Sequence, residues 1–356
     1  SFRMSIFIFL SSLFIICNGR ERQSGQSRFA SEDPNSRFIC EGHLAEHAAC
    51  QCKEDEGEIA CINAQFVDTS VFTTLGSYYK HLNRITFHGN NFQDLPTGSL
   101  FGSSSSSYSN LDTLNISANY IVNLHSNALE GLHGLHTLDL SNNEIVLHEG
   151  DISFLQHTPR LTELFLRRAF TMTTNRSLQF DYMMRMFEKA KLDRLETFDF
   201  SYNYLSSIPF DLPCPFPKLT RLDLRQNFLT TFVVNETCLS NIRTIDLSRN
   251  QIHSLDAPFR ALASNLRDNT FQLKNSFYCD CNSGEWIRWL RSTKVVRDKS
   301  SLICDKASPK QYVGTRLVEV PIDKLDCSID LWSDNTASST FIISITVLLI
   351  SLGILH

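Results

Sequence analysis

The sequence is short of the signatures that enzymatic chemistry leaves behind. It has no G-x-S-x-G elbow and no glycine-rich phosphate loop, which removes the common marks of serine hydrolases and nucleotide-binding enzymes. His43 and His47 could share a helical face, but Glu46 is misplaced for a metalloprotease H-E-x-x-H, so a surface role accounts for the pair. His133 and His136 read as solvated. No enzyme activity, cofactor or metal is therefore expected. Neither sign of charge dominates: 33 Lys and Arg against 38 Asp and Glu give a net charge of −5. With a pI near 6.1 there is no basic footprint for nucleic acid. Long apolar runs are missing too. The run from Phe341 to Leu355 would reach only about 22 Å as a helix, against a hydrocarbon core of roughly 30 Å.

What the sequence does contain is a repeated phrase, L-x-x-L-x-L-x-x-N. It occurs as Leu82-x-x-Ile85-x-Phe87-x-x-Asn90, Leu111…Leu114…Ile116…Asn119 and Leu135…Leu138…Leu140…Asn143. It returns as Leu195…Phe198…Phe200…Asn203, Leu219…Leu222…Leu224…Asn227 and Ile242…Ile245…Leu247…Asn250. A weaker copy, Leu161…Leu164…Leu166, lacks the Asn. Apart from the long step that follows this copy, the starts lie about 23–29 residues apart, the period of leucine-rich repeats. The expected fold is an α/β solenoid in which each repeat adds one strand to a curved parallel sheet on the concave face. Alternation along a strand turns the apolar slots inward and leaves slots two, three, five, seven and eight on that face. The ninth-slot Asn bonds backbone where the strand turns away. Later apolar residues, such as Ile121, Leu124 and Leu129, or Leu229 and Phe232, fill the core from the convex side.

A stack of repeats needs a lid at each end, and the cysteines sit where lids belong. Of 11 cysteines, Cys40, Cys50, Cys52 and Cys61 precede the first repeat, and Cys279, Cys281, Cys304 and Cys327 follow the last. Four cysteines permit three pairings, and a C-x-C quartet is also a zinc-ligand pattern. Residues 4–16 form an apolar run of signal-peptide length, followed by Gly19 and the charged Arg20-Glu21-Arg22. Cleavage after Gly19 removes Cys17 and leaves an even number of cysteines in an oxidising compartment. Cys214 and Cys238 stand one repeat apart in corresponding stretches, which predicts a bridge between adjacent turns; two free buried thiols are the alternative.

Asn115, Asn175 and Asn235 begin N-x-S/T sequons, in keeping with export. Asn115 occupies slot five of its repeat, so a glycan there obstructs part of the concave face. That favours the convex side, the rims or the caps for recognition. The insert after the weak repeat, at about 167–194, places Phe180, Met183, Met184 and Phe187 at i, i+3, i+4 and i+7, predicting a short amphipathic helix packed on the core. On the concave slots Asp139, Asp199, Asp223 and Asp246 share slot five, with Arg167, Arg168, Arg225 and Arg249 at slots seven and eight. The strip is a candidate partner-binding surface; a cross-strand charge ladder explains it equally well.

The organisation expected is a signal peptide (1–19), a flexible arm (20–39), an N-terminal cysteine cap (40–81) and repeats (82–274). A C-terminal cap (275–327), a stalk (328–340) and a hydrophobic segment (341–356) follow. The last is either a GPI-attachment signal near Ser333-Asp334-Asn335 or a membrane helix.

This layout resembles the trophoblast glycoprotein (Wnt-activated inhibitory factor) family over most of residues 40–350. The likeness rests on the Leu114-Asn115-Ile116-Ser117 sequon within a strand and the Asn175-Arg176-Ser177 sequon in the insert. It rests also on a C-terminal cap containing Cys279-Asp280-Cys281, Trp289-Leu290, Val295-Val296, Lys299, Cys304 and Leu325-Asp326-Cys327. The resemblance implies the pairings Cys40–Cys52, Cys50–Cys61, Cys279–Cys304 and Cys281–Cys327. It also implies a plasma-membrane glycoprotein that binds an extracellular or membrane protein and restrains Wnt/β-catenin signalling at the Wnt co-receptor. A structural adhesion or matrix-binding protein is the alternative. Ala60 and Lys306 stand where the family has Lys and Tyr, Ser276-Phe277 replaces its Pro-Trp, and the Cys214/Cys238 pair looks additional. The chain reads as a divergent member.

Overall fold

The computed structural model describes residues 37–40, 49–53, 55–79, 81–171 and 175–327. The signal peptide, most of the arm, His43, Glu46, His47, the stalk and the hydrophobic segment lie outside the described residues.

Ten strands form one curved sheet in sequence order: β1 (Gln51–Lys53), β2 (Glu58–Ile62), β3 (Arg84–His88), β4 (Thr113–Asn115), β5 (Thr137–Asp139), β6 (Glu163–Phe165), β7 (Thr197–Asp199), β8 (Arg221–Asp223), β9 (Thr244–Asp246) and β10 (Phe271–Gln272). From β2 onward every neighbour is parallel, and β1 closes the N-terminal edge as an antiparallel hairpin with β2. Sequential parallel order is what a solenoid requires, since each turn can bury its apolar face only against its neighbours. The fourth-slot residues Leu114, Leu138, Leu164, Phe198, Leu222 and Ile245 are in register and fully buried.

The ninth-slot asparagines hold the turns together. Asn227 donates from Nδ2 to the carbonyls of Phe200 (3.1 Å) and Leu224 (2.9 Å), and its Oδ1 accepts from Asn203 N (2.9 Å) and Leu205 N (3.1 Å). Asn119, Asn143, Asn203 and Asn250 likewise join a carbonyl of the preceding turn. Asn90 reaches back to the Cys61 carbonyl, tying the first repeat to the cap. Ala169 supplies no such amide in the weak repeat; there Asn203 Oδ1 accepts from the backbone of both Ala169 and Phe170. Slot eight is left-handed in every repeat: φ is 73° at Gly89, and among the residues with a side chain 57° at Ala118, 56° at Asn142, 47° at Arg168, 61° at Tyr202, 55° at Gln226 and 58° at Arg249. That conformation swings the chain off the strand, and among these residues only glycine and asparagine enter it readily.

The insert forms α2 (Arg176–Ala190), after α1 (Ser70–Tyr78) in the N-terminal cap region. Its buried face is centred on Gln179, Met183, Met186 and Phe187, so Met183 and Phe187 of the expected face are buried while Phe180 and Met184 lie at the margin and the face is rotated toward Gln179 and Met186. The cause is Gln179, whose Oε1 accepts from Leu147 N (2.8 Å) and whose Nε2 donates to Leu147 O (2.9 Å). The side-chain amide acts as a surrogate strand for a buried backbone segment.

At the N-terminal end Phe66, Phe72, Phe87 and Phe92 make a ring cluster with centroids 4.5–5.6 Å apart. At the other end α3 (Ala257–Ser264), α4 (Gly284–Ser292) and a small parallel sheet of β11 (Phe277–Cys279) and β12 (Cys304–Ala307) cover the last repeat. Disulfides join Cys40 to Cys52, Cys50 to Cys61, Cys279 to Cys304 and Cys281 to Cys327, and a fifth joins Cys214 to Cys238 across adjacent turns.

Candidate protein-recognition surface

The fifth-slot carboxylates turn out to serve the backbone. Asp139, Asp199, Asp223 and Asp246 each accept, through Oδ1, the amide of the residue two positions on (Ser141, Ser201, Arg225 and Ser248), and Asn115 does the same for Ser117. A short side chain at the end of a strand folds back onto the turn that follows it. Asp199, Asp223 and Asp246 are consequently buried, at 8, 1 and 7% exposure, and are not presented to a partner as the alternation of side chains led us to expect.

These three aspartates are also in register on adjacent strands β7, β8 and β9. Asp223 is the middle one. Burial, reinforced by the charges of Asp199 and Asp246, pushes its carboxyl up to about 6, against the pull of the Arg225 amide and guanidinium. Its Oδ2 has Arg225 Nη2 at 3.0 Å and Arg221 Nη2 at 3.8 Å. At the neighbouring position Gln272, with its amide oriented to suit both neighbours, donates to Asp246 Oδ2 (3.0 Å) and accepts from Arg297 (3.2 Å).

Cationic and aromatic side chains follow these and the preceding strand. Arg167, Arg168 and Arg249 face solvent and Arg225 is half-buried. Arg167 lies 4.2 Å above the Tyr202 ring, and Tyr204 and Phe228, both about half exposed, approach to 5.8 Å between centroids. Sequence reading overlooked the two aromatic residues, which occupy the slot after the asparagine in consecutive repeats. On the C-terminal cap Tyr278 stacks nearly parallel on His253, with centroids 4.0 Å apart, and Lys306 Nζ lies 5.1 Å from the same ring. Ala60 lies on β2 opposite Thr86.

The sequons differ in setting. Asn115 is half-buried on the concave face, where its Oδ1 also accepts the Ser117 hydroxyl at 2.7 Å. Asn175 is exposed and caps α2 by accepting from Leu178 N (3.3 Å). Asn235 caps a short 3₁₀ turn, Glu236–Leu239. His133 is exposed, and His136 pairs with Asp112 at 2.8 Å in solvent. Among the described residues no three His, Cys, Asp or Glu side chains converge as a metal site would need.

A parallel solenoid with disulfides at both ends and a polar, non-converging surface defines a class: the leucine-rich-repeat proteins built for the outside of the cell. Comparison with known proteins narrows it. No family model matches the chain. Trophoblast glycoprotein of Macaca fascicularis is 27% identical over 290 residues, covering 79% of this chain and 67% of the relative. The Mus musculus protein is 27% identical over 314 residues, covering 83% and 71%. Human Toll-like receptor 5 is 29% identical over 196 residues, covering 52% of this chain and 21% of the receptor. The crystal structure of human 5T4, titled Wnt-activated inhibitory factor 1 and trophoblast glycoprotein, superposes with a TM-score of 0.67 at 24% identity, covering 79% of this chain and 98% of that one. The chain is a divergent relative of the trophoblast glycoproteins.

Proposed function

We propose that this solenoid is the extracellular part of a membrane-anchored, non-enzymatic glycoprotein that recognises another extracellular or membrane protein. In this reading residues 1–19 direct export and 341–356 provide the anchor or its attachment signal. By analogy with Wnt-activated inhibitory factor 1, the partner is the Wnt co-receptor, and the effect is to restrain Wnt/β-catenin signalling. The observation that carries the reading is a 27% likeness to trophoblast glycoprotein that runs over 79% of this chain and 67% of the relative, well beyond a shared repeat phrase.

Arg167, Arg168, Arg225 and Arg249, with the aromatic groups beside them, are the proposed contact strip on the C-terminal half of the concave face. Asp199, Asp223 and Asp246 support it from beneath. Arg225 follows β8, four strands from Asn115, or about 19 Å at ordinary strand spacing. The N-terminal half is the part a glycan on Asn115 would cover.

The test is a Wnt reporter assay in cells displaying the anchored chain. Reduced output is expected, restored by Arg225→Glu with Arg249→Glu. Unchanged output with the wild-type chain at the surface would reject the Wnt assignment. Unchanged co-receptor binding by the double variant would reject the strip.

A further inference from the structure

Among the three sequons Asn235 has a distinctive neighbour: the sequence reads Asn235-Glu236-Thr237-Cys238, and Cys238 is the second half of the Cys214 bridge. Asn115 and Asn175 have no cysteine within their sequons or just beyond them. In the folded chain the polar atoms of the Asn235 side chain are committed. Nδ2 donates to Asp211 Oδ1 (3.0 Å), while Oδ1 accepts from Thr237 N (3.3 Å) and from the Thr237 hydroxyl (2.7 Å). Asn235 N donates to Phe210 O (2.8 Å), and Cys214 Sγ lies 3.6 Å from the same Asp211 oxygen. The bridge and Asp211 therefore pin the Cys214 loop and the sequon loop to each other.

We infer that closure of the Cys214–Cys238 disulfide shuts the Asn235 sequon, so that glycan transfer at Asn235 competes with folding of that turn and must precede it. In the transfer Asn235 Nδ2 attacks the anomeric carbon of a lipid-pyrophosphate oligosaccharide. A C–N bond forms as the C–O bond to pyrophosphate breaks; the pyrophosphate leaves with the electron pair, and Nδ2 gives its proton to a base of the transferase. The reacting amide and the Thr237 hydroxyl must both be free for this, and the closed turn holds both. The chain order makes the race close. Cys214 enters the oxidising compartment ahead of Asn235, and Cys238 follows three residues behind it, so the bridge has both its partners almost as soon as the acceptor appears. Bridge formation takes seconds or longer while synthesis runs at about 5–20 residues per second, so the two events overlap in time. Once closed, the bridge makes reopening of the loop rarer.

The proposal rests on the extracellular reading above and is tested by site-resolved mass spectrometry of glycan occupancy. The whole-cell pool is sampled soon after synthesis, so that secretion of a variant does not matter. Wild type should carry Asn235 partly unmodified. Cys214→Ser, which leaves the sequon and Cys238 intact, should reduce that unmodified fraction by roughly half or more, with Asn175 unchanged. Asp211→Ala, with the bridge retained, frees Asn235 Nδ2 from one contact but leaves the loops linked, so occupancy should rise less than in Cys214→Ser. Equal occupancy of Asn235 in wild type and Cys214→Ser, whether full or empty, would overturn the inference. So would a rise in Asp211→Ala equal to that in Cys214→Ser. Asn115, Asn175 and Asn235 all empty in every variant would instead remove the secretory reading and this inference with it.

Discussion

Asn227 Oδ1 lies 2.9 Å from the backbone nitrogen of Asn203, one turn earlier in the solenoid, and accepts its hydrogen. This relationship repeats along the sheet and bonds consecutive turns through buried amides. Replacing Asn227 with Ala would leave the amides of Asn203 and Leu205 without a partner in a site only 2% exposed, while the Phe200 and Leu224 carbonyls keep the amides of Asn203 and Asn250. At about 1–3 kcal/mol for each of the two unsatisfied amides, partly relieved by water, a loss of about 2–4 kcal/mol is expected. Denaturant unfolding checks the magnitude. Hydrogen exchange should show the protection loss concentrated in the repeats beginning at Leu195 and Leu219, because solenoid turns couple mainly to their neighbours.

Stability should also respond to Asp223. Its carboxyl is raised to about 6 in the folded chain, by burial first and then by Asp199, against about 3.9 in an unfolded one. Between those values the folded state holds the extra proton, so stability rises as pH falls from above 6 toward 4, opposite to an ion-paired aspartate. Asp223→Asn should remove this component and raise stability at neutral pH, on the order of 1–3 kcal/mol. Thermal melts at pH 7.5 and 5.5 on both proteins give the comparison. An equal pH response in the two proteins would remove Asp223 as the source.

Gln179 should matter far more than an ordinary helix-surface glutamine. Gln179→Leu preserves the volume of the side chain and orphans both polar groups of Leu147, so a loss of about 2–4 kcal/mol is expected. The control is Arg185→Gln, at an exposed position on the same helix with no buried backbone to serve. It should leave the midpoint of the same denaturant titration essentially unchanged, because its ion pairs lie in solvent.

At slot eight the expected sign reverses. Ala118 holds φ at 57°, a conformation that costs an L-residue about 1–2 kcal/mol. Ala118→Gly should therefore raise the melting temperature, by an amount equivalent to about 1 kcal/mol, even though glycine usually weakens a folded chain.

The architecture was legible because one residue type recurs where one geometric demand recurs. Leucine-like side chains mark the inward slots, and asparagine marks the turn. Legibility failed where a different residue met the same demand. Asn275 extends the asparagine ladder by accepting from Asn250 N (2.6 Å) and donating to Leu247 O (3.0 Å), yet it stands one residue early for the phrase. Strand β2 joins the sheet with no phrase at all, through Ile59 opposite Ile85 and Cys61 opposite Phe87. Gln179 was hidden because a polar residue in an amphipathic pattern reads as solvent-facing. The carboxylate strip misled for a related reason: alternation says which way a Cβ points, and a side chain as short as aspartate can still return to its own backbone. Tyr204 and Phe228 sit outside the phrase, where sequence gives exposed aromatic residues no periodic signature.

The claim on which the rest depends is a solenoid sealed by bridges formed outside the cytosol. Peptide mapping of the unreduced protein from secreting cells tests it most directly. Five linked pairs are expected: Cys40–Cys52, Cys50–Cys61, Cys214–Cys238, Cys279–Cys304 and Cys281–Cys327. Free thiols at the two ends of the repeats, or cap cysteines that release zinc on unfolding, would contradict it.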